Sequence, residues 1–259
     1  MRFALPLMVI GEVGLVICLM AGVPVPVPLL AGAEVVVFGA LTAEAVVVWR
    51  RSRVRGFRAA VRSVIPEKAR RLAAHELRSL HSLGLWVARR QHGVRDGDHS
   101  VAYTGPQTAM MYGLVFVSLV ETVVLALVVP WPTVHRILLV LDAYGLLLVF
   151  ALHAACVTRP HVVEADGSLR IRYGAMVDLR VGPADIAGVR VERRYPEGKL
   201  VQLGPDGVLD LAVGSQTTVT LELNRAVEFV RPLGARCEVR TVRFHADDPR
   251  ALVAALTQA

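Results

Sequence analysis

Four carboxylates stand where apolar sequence surrounds them. Glu12, Glu34, Glu121 and Asp142 each interrupt a long hydrophobic run. An ionised side chain at the centre of a membrane span costs about 2.5–3.5 kcal/mol on insertion scales, so four such acids need a chemical reason. Counting a helical rise of ~1.5 Å per residue from the proline- and glycine-marked ends puts all four roughly 9–15 Å below one membrane surface. His135, Asp142 and His153 are seven and eleven residues apart. Those intervals are two and three helical turns, so the three share a face. Glu44 reaches a depth like that of His153. The expected constellation is an outer group (Glu12, Glu34, Glu121, His135, Asp142) with an inner pair (Glu44, His153).

Three chemistries use such a layer. Four-helix bundles hold two metal ions between inward-facing carboxylates and histidines, and hard oxygen donors with an added imidazole suit iron or manganese. In that reading the four acids are ligands or catalytic groups of a membrane enzyme or redox protein acting on a lipid-soluble substrate. The Glu-x-x-His spacing of soluble di-iron bundles is missing, because Leu15, Val37, Val124 and Gly145 follow the acids by three residues. The second chemistry is a proton or ion pathway, in which carboxyls neutral at pH 7 pass protons along a stripe shared with histidine. The third is structural: protonated carboxyls bond across helices and join a bundle.

The elements that must carry these residues are four apolar runs, roughly 4–22, 28–49, 110–130 and 135–157. Each is long enough to cross ~30 Å of hydrocarbon as a helix. Of the 259 residues 54% are hydrophobic, and the mean hydropathy is +0.50, too apolar for an ordinary soluble domain. The first run lacks a small-residue cleavage site and is expected to be retained. Between Arg50 and Ala109 there are thirteen Lys/Arg against four Asp/Glu, whereas from Thr158 onward there are fourteen against thirteen. The formal charge of +7 is therefore concentrated beside the spans, which points to positive-inside topology and away from nucleic acid. The N-terminus, the middle segment and the C-terminal region then face the cytosol, in a multi-pass protein of the inner membrane. The basic stretch from Arg50 to Arg62 is expected to meet anionic lipid headgroups.

Organisation follows. Residues 1–50 carry spans one and two, 51–109 a basic cytosolic segment, 110–157 spans three and four, and 158–259 a β domain. Within 51–109, Pro66 and Glu67 mark a helix start, and Gly93 a stop after about His92. Leu72, Ala73, Leu77, Leu80, Leu83, Gly84 and Val87 recur on one side of that helix, with Arg71, His75, Arg78, Ser79, Ser82 and Arg89 on the other. Such a helix suits the inner membrane surface or the mouth of the bundle. His75 and His81 are too far apart for a His-Glu-x-x-His site and read as solvated, as do His92 and His99 in the polar stretch that leads into an aperiodic loop over 93–108. Cys18, Cys156 and Cys237 lack zinc or redox spacing.

From 158 the pattern turns to short β-type runs at 161–164, 169–173, 176–181, 189–193, 208–213, 217–223 and 239–244, separated by Gly, Asp and Pro turns. Asp248 and Pro249 open a closing helix whose apolar residues are Leu252, Val253 and Leu256. Seven strands and a helix predict a small antiparallel barrel or sandwich. The stretch His161-Val-Val-Glu-Ala-Asp-Gly-Ser-Leu-Arg-Ile-Arg-Tyr-Gly, with Val181-Gly-Pro-Ala-Asp-Ile-Ala-Gly-Val-Arg, resembles the bacterial pleckstrin-homology-like (PH-like) domain. The chain as a whole resembles uncharacterised actinobacterial membrane proteins. The resemblance implies a PH-like fold over 158–259 after a membrane bundle, a role in assembly or partner binding, and no catalytic residues. The near-neutral charge of the domain argues against a strong phosphoinositide site. A homo-oligomer is a separate expectation, since four spans alone often need a neighbouring subunit to enclose a path.

Overall fold

The computed structural model describes residues 65–204 and 206–258, with Val46 and Arg50. Glu12, Glu34, Glu44, Cys18, the first two expected spans and residues 51–62 of the basic stretch lie outside the described residues. The chain divides into two compact units at Arg70/Arg71, and the elements that position the site belong to the second.

Helix α1 spans Glu67–Val87. It ends before the expected stop at His92 because the backbone closes on itself earlier. Arg89 N donates to Trp86 O at 3.0 Å and Arg90 N to Leu85 O at 2.9 Å, with Arg89 in the left-handed region at φ 53°. That is the Schellman pattern, here with an arginine where glycine is usual. The helix docks by its polar side. Ser79 and Ser82 are buried, whereas Leu72 and Leu77 remain 61% and 67% exposed. Of the apolar stripe read from the sequence, Leu72, Ala73, Leu77, Gly84 and Val87 are exposed and Leu80 and Leu83 half-buried.

Strand β1 (His99–Val101) follows, within the stretch expected to be a loop. Then come α2 (Gly105–Val128) and α3 (Pro132–Val157), paired with each other as a hairpin. Both have a mean hydropathy of 2.2 over their most apolar windows, and only 6% and 17% of those windows is buried. At about 36 and 39 Å they are long and apolar enough to cross a membrane. Their exposure separates them from the core helices of a soluble domain.

The chain then returns as β2 (His161–Val163), which pairs antiparallel with β1. The hairpin is thus inserted between two adjacent strands of one sheet. β3 (Leu169–Tyr173) and β4 (Val177–Val181) complete a four-stranded sheet in the order β1-β2-β3-β4. β4 alternates buried and exposed residues without exception, as a strand with one wet face must. A short 3-10 turn (Pro183–Asp185) leads to the second sheet. Its strands are β5 (Ile186–Arg194), β6 (Val201–Leu203), β7 (Val208–Leu211), β8 (Thr217–Val230) and β9 (Arg236–Phe244), in the order β5-β8-β9-β7-β6.

All seven expected strands are present, with β1 and β6 in addition. The sandwich is not wholly antiparallel: β7 and β9 run parallel, because β9 folds back from β8 into the space beside β7. The closing helix α4 (Pro249–Gln258) starts as its sequence indicates, with Asp248 Oδ1 accepting from Ala251 N at 2.9 Å. α4 packs on β1, β2 and β5. One hydrophobic core unites both sheets with α4, and includes Ile171, Leu179, Leu221, Phe229, Val242, Phe244 and Leu252.

Candidate functional site

The described members of the expected carboxylate and histidine layer lie on α2 and α3. Thr122 and Asp142 bring the two helices together: the Thr122 hydroxyl lies 3.1 Å from Asp142 Oδ2 and 2.9 Å from its own helix's Ser118 carbonyl. Glu121, the preceding residue, is exposed, because adjacent helical positions point about 100° apart. His135 and Asp142 are half-buried and His153 is buried, as their common face requires. His153 meets the edge of Trp86, ring centroids 5.8 Å apart at 81°. It is therefore shared between α3 and α1. Among the described residues no three His, Cys, Asp or Glu converge as a metal-ligand group. Glu121, His135 and Asp142 do not make one by themselves, and Glu12, Glu34 and Glu44 lie outside the described residues.

What the structure does build is a hydrogen-bonded joint at the base of the hairpin. The start of α2 lacks a side-chain cap of its own. Asp247 supplies one from across the fold: Gly105 N donates to its Oδ1 and Oδ2 at 3.0 and 3.1 Å. A carboxylate at a helix N-terminus satisfies free N–H groups and meets the positive end of the helix dipole. Asp247 N in turn donates to Ala102 O at 2.8 Å. At the other end, Thr158 closes α3 by donating to Ala154 O at 2.7 Å, and Thr158 O accepts from His92 N at 2.7 Å. Both ends of the hairpin are tied to the β region and to the segment after α1.

Behind the joint is a buried polar and aromatic cluster. His161 stacks on Tyr103 at 4.6 Å and meets the edge of Phe244 at 4.9 Å. Its Nδ1 accepts from Arg172 N at 3.1 Å, so the proton resides on Nε2, which donates to His245 O at 2.9 Å. Burial depresses the imidazole to about 3, with the His245 carbonyl opposing. Burial also pushes the Tyr103 hydroxyl well above its ordinary range. That hydroxyl accepts from Gly174 N at 2.7 Å. His161 is neutral with both nitrogens committed, which suits support rather than acid–base work.

Arg172 is fully buried, on the face of β3 opposite Ile171. Its Nη1 and Nη2 donate to His92 O and Gly93 O at 2.7 and 2.9 Å, so it pins the loop after α1 onto the sheet. Burial lowers its basicity. Beside it Arg95, Arg170 and Arg180 line a polar groove with Asp98, Glu164 and Asp178. Arg170 forms a two-pronged pair with Asp178, at 2.7 and 2.6 Å, and Arg180 reaches Glu164 at 2.6 Å. Three arginines against three carboxylates give no net positive field for a phosphate.

His75 departs from its expected solvated state. Its two ring nitrogens each lie 2.9 Å from a backbone carbonyl, Ala175 O on the β3–β4 turn and Pro232 O on the β8–β9 turn. Sequence reasoning missed this contact, and it missed Asp247 and Arg172 as well. Asp247 stands between a strand and a helix cap, and Arg172 occupies an ordinary outward strand position, so only the loops folded over them reveal their roles. Comparison of the chain with family models, with curated proteins and with solved structures found no match.

Proposed function

We propose that this chain is a four-span inner-membrane protein whose PH-like β domain is held at the cytosolic surface as a partner-binding module, with no catalytic role. The observation that carries the reading is the insertion of the exposed apolar hairpin between β1 and β2, with both of its ends tied down. A domain built around its own anchor keeps one orientation to the bilayer, which suits an assembly platform. The outward apolar stripe of α1 adds an interfacial contact. The Thr122–Asp142 contact favours helix-joining acids over acids poised for chemistry.

Topology is tested with single-cysteine variants on a background without Cys18, Cys156 and Cys237. Thr133→Cys should react with a membrane-impermeant maleimide on intact cells, and Gln202→Cys only after permeabilisation. The reverse pattern, or release of the protein by carbonate wash, overturns the reading. The rival expectation is a metal-dependent enzyme or redox protein with iron or manganese, or a proton pathway. Stoichiometric iron or manganese in purified protein, lost in Glu121→Ala and Asp142→Ala, would establish the metal reading instead. Proton flux in proteoliposomes that Asp142→Asn abolishes would establish the pathway.

A further inference from the structure

His75 is the point at which α1 meets both sheets. Its Nδ1 lies 2.9 Å from Ala175 O, on the turn between β3 and β4 of the four-stranded sheet. Its Nε2 lies 2.9 Å from Pro232 O, on the turn between β8 and β9 of the five-stranded sheet. Both partners are carbonyl oxygens, which only accept. A neutral imidazole carries one N–H and one lone pair, so it serves one of them and turns a lone pair on the other. The imidazolium carries two N–H groups and serves both. His161 shows the contrast: its ring meets one donor and one acceptor, and the neutral form satisfies both. His75 is half-buried, so its ring remains within reach of solvent protons.

Charged groups approach the ring from three elements. On α1, Arg71 and Arg78 stand one turn before and after it, and Glu76 is the next residue. Glu76 accepts from the Tyr144 hydroxyl on α3. Arg231 precedes Pro232 in the β8–β9 turn, and Arg71 backs that turn, since a Cβ on Gly234 would lie 2.6 Å from its Nε. The β3–β4 turn, Gly174 to Met176, carries no charge. Three arginines oppose a further positive charge and Glu76 offsets part of that, so the two carbonyls decide. We propose that His75 is a proton-operated clamp: the imidazolium ties α1 to turns of both sheets, and loss of its proton releases one tie and loosens the helix. Histidine changes charge between pH 5 and 8, so the clamp works near physiological pH. The docked helix holds the extra proton, so docking strengthens as the pH falls. Loosening uncovers Ser79 and Ser82, which are buried while α1 is docked. The clamp involves α1 and two β turns alone and does not rest on the membrane reading.

The test is hydrogen exchange of the full chain in mild detergent at about pH 8.5 and about pH 6.5, corrected for intrinsic base catalysis. Protection of the α1 amides 76–87 should rise about five- to tenfold at the lower pH, the worth of one hydrogen bond. The amides of Val239 and Val242 in β9 should keep their protection. His75→Gln, neutral throughout, should hold α1 at the lower protection and remove the pH dependence. His75→Lys, charged at both pH values, should keep the higher protection at both. His81→Gln, at an exposed position of α1, should leave the wild-type pattern intact. Equal wild-type protection at both pH values, or a pH dependence that survives His75→Gln, would overturn the proposal. If His75→Gln strips α1 of all protection, His75→Lys decides: equal protection at both values supports the clamp, and a wild-type fall at about pH 8.5 overturns it. None of these readouts depends on topology, so failure of the membrane reading is scored separately by the maleimide labelling.

Discussion

At the residue scale, the histidines divide by what their nitrogens meet. His161 is neutral because both nitrogens are committed, one accepting from Arg172 N and the other donating to His245 O. The unfolded chain takes up a proton at His161 near the ordinary value of 6.5, and the folded chain only near about 3. The folded value is the lower one, so its contribution is intact above pH 6.5 and is lost as the pH falls toward 3. Each pH unit in that window costs about 1.4 kcal/mol, or about 2 kcal/mol between pH 6.5 and pH 5. His245, also depressed mainly by burial, adds in the same direction. Thermal unfolding followed from pH 7 to 5 should therefore show a steep loss in the wild type and a shallower one in His161→Gln. Equal slopes would remove His161 as the cause. Asp247 is the second residue whose effect is local in sequence and distant in space. Asp247→Ala should lower stability by about 1 kcal/mol through loss of the α2 cap, with Asp247→Asn retaining most of it. Chemical denaturation reads the difference.

At the scale of elements, α1 ends on a non-glycine residue in the left-handed region. Arg89→Gly should stabilise the protein by about 1 kcal/mol, since the φ of 53° is retained without the Cβ clash. A lower melting temperature in that variant would show that the Arg89 side chain contributes more than the strain. The α2–α3 pair offers a graded comparison. Thr122→Val should weaken helix pairing by about 0.6 kcal/mol, the average of polar contacts between membrane helices, while Asp142→Asn keeps an acceptor and should change little. Steric trapping or detergent-driven unfolding of the hairpin measures both. A large loss in Asp142→Asn alone would mean that the charge, not the hydrogen bond, matters.

At the scale of the molecule, the hairpin and the sandwich are one mechanical unit because the hairpin interrupts a sheet. Val101 is 5% exposed and pairs opposite His161. Val101→Asp places an unpaired charge in that core, and should cost about 3–5 kcal/mol while exposing residues 93–104 to protease. If the sandwich melts unchanged in that variant, β1 is an accessory edge and the joint is looser than its hydrogen bonds imply.

The strands of the sandwich were legible from alternation and turn residues, since a half-buried strand writes its two faces into its own sequence. The two described apolar helices were legible for the same kind of reason: about twenty predominantly apolar residues in a row have few other uses. β1 was not legible. His-Ser-Val carries no period, and it becomes a strand only because β2 returns beside it after the hairpin. The contacts made by the polar side of α1 were not legible either. Apolarity marked one stripe, but small serines allow close packing on the other side, so the helix docks through Ser79 and Ser82 and leaves Leu72, Leu77 and Val87 exposed. Of the carboxylate layer, the sequence could place residues along a helix. Whether neighbours meet is a matter of rotation about the axis, and there Asp142 turns to Thr122 while Glu121 turns out. The sequence by itself determined the local elements, their apolarity and the charge beside the spans. Only the tertiary structure decided which distant residues close on one another, as Asp247 does on α2 and Arg172 on the 92–93 loop, because such contacts depend on chain return rather than on period.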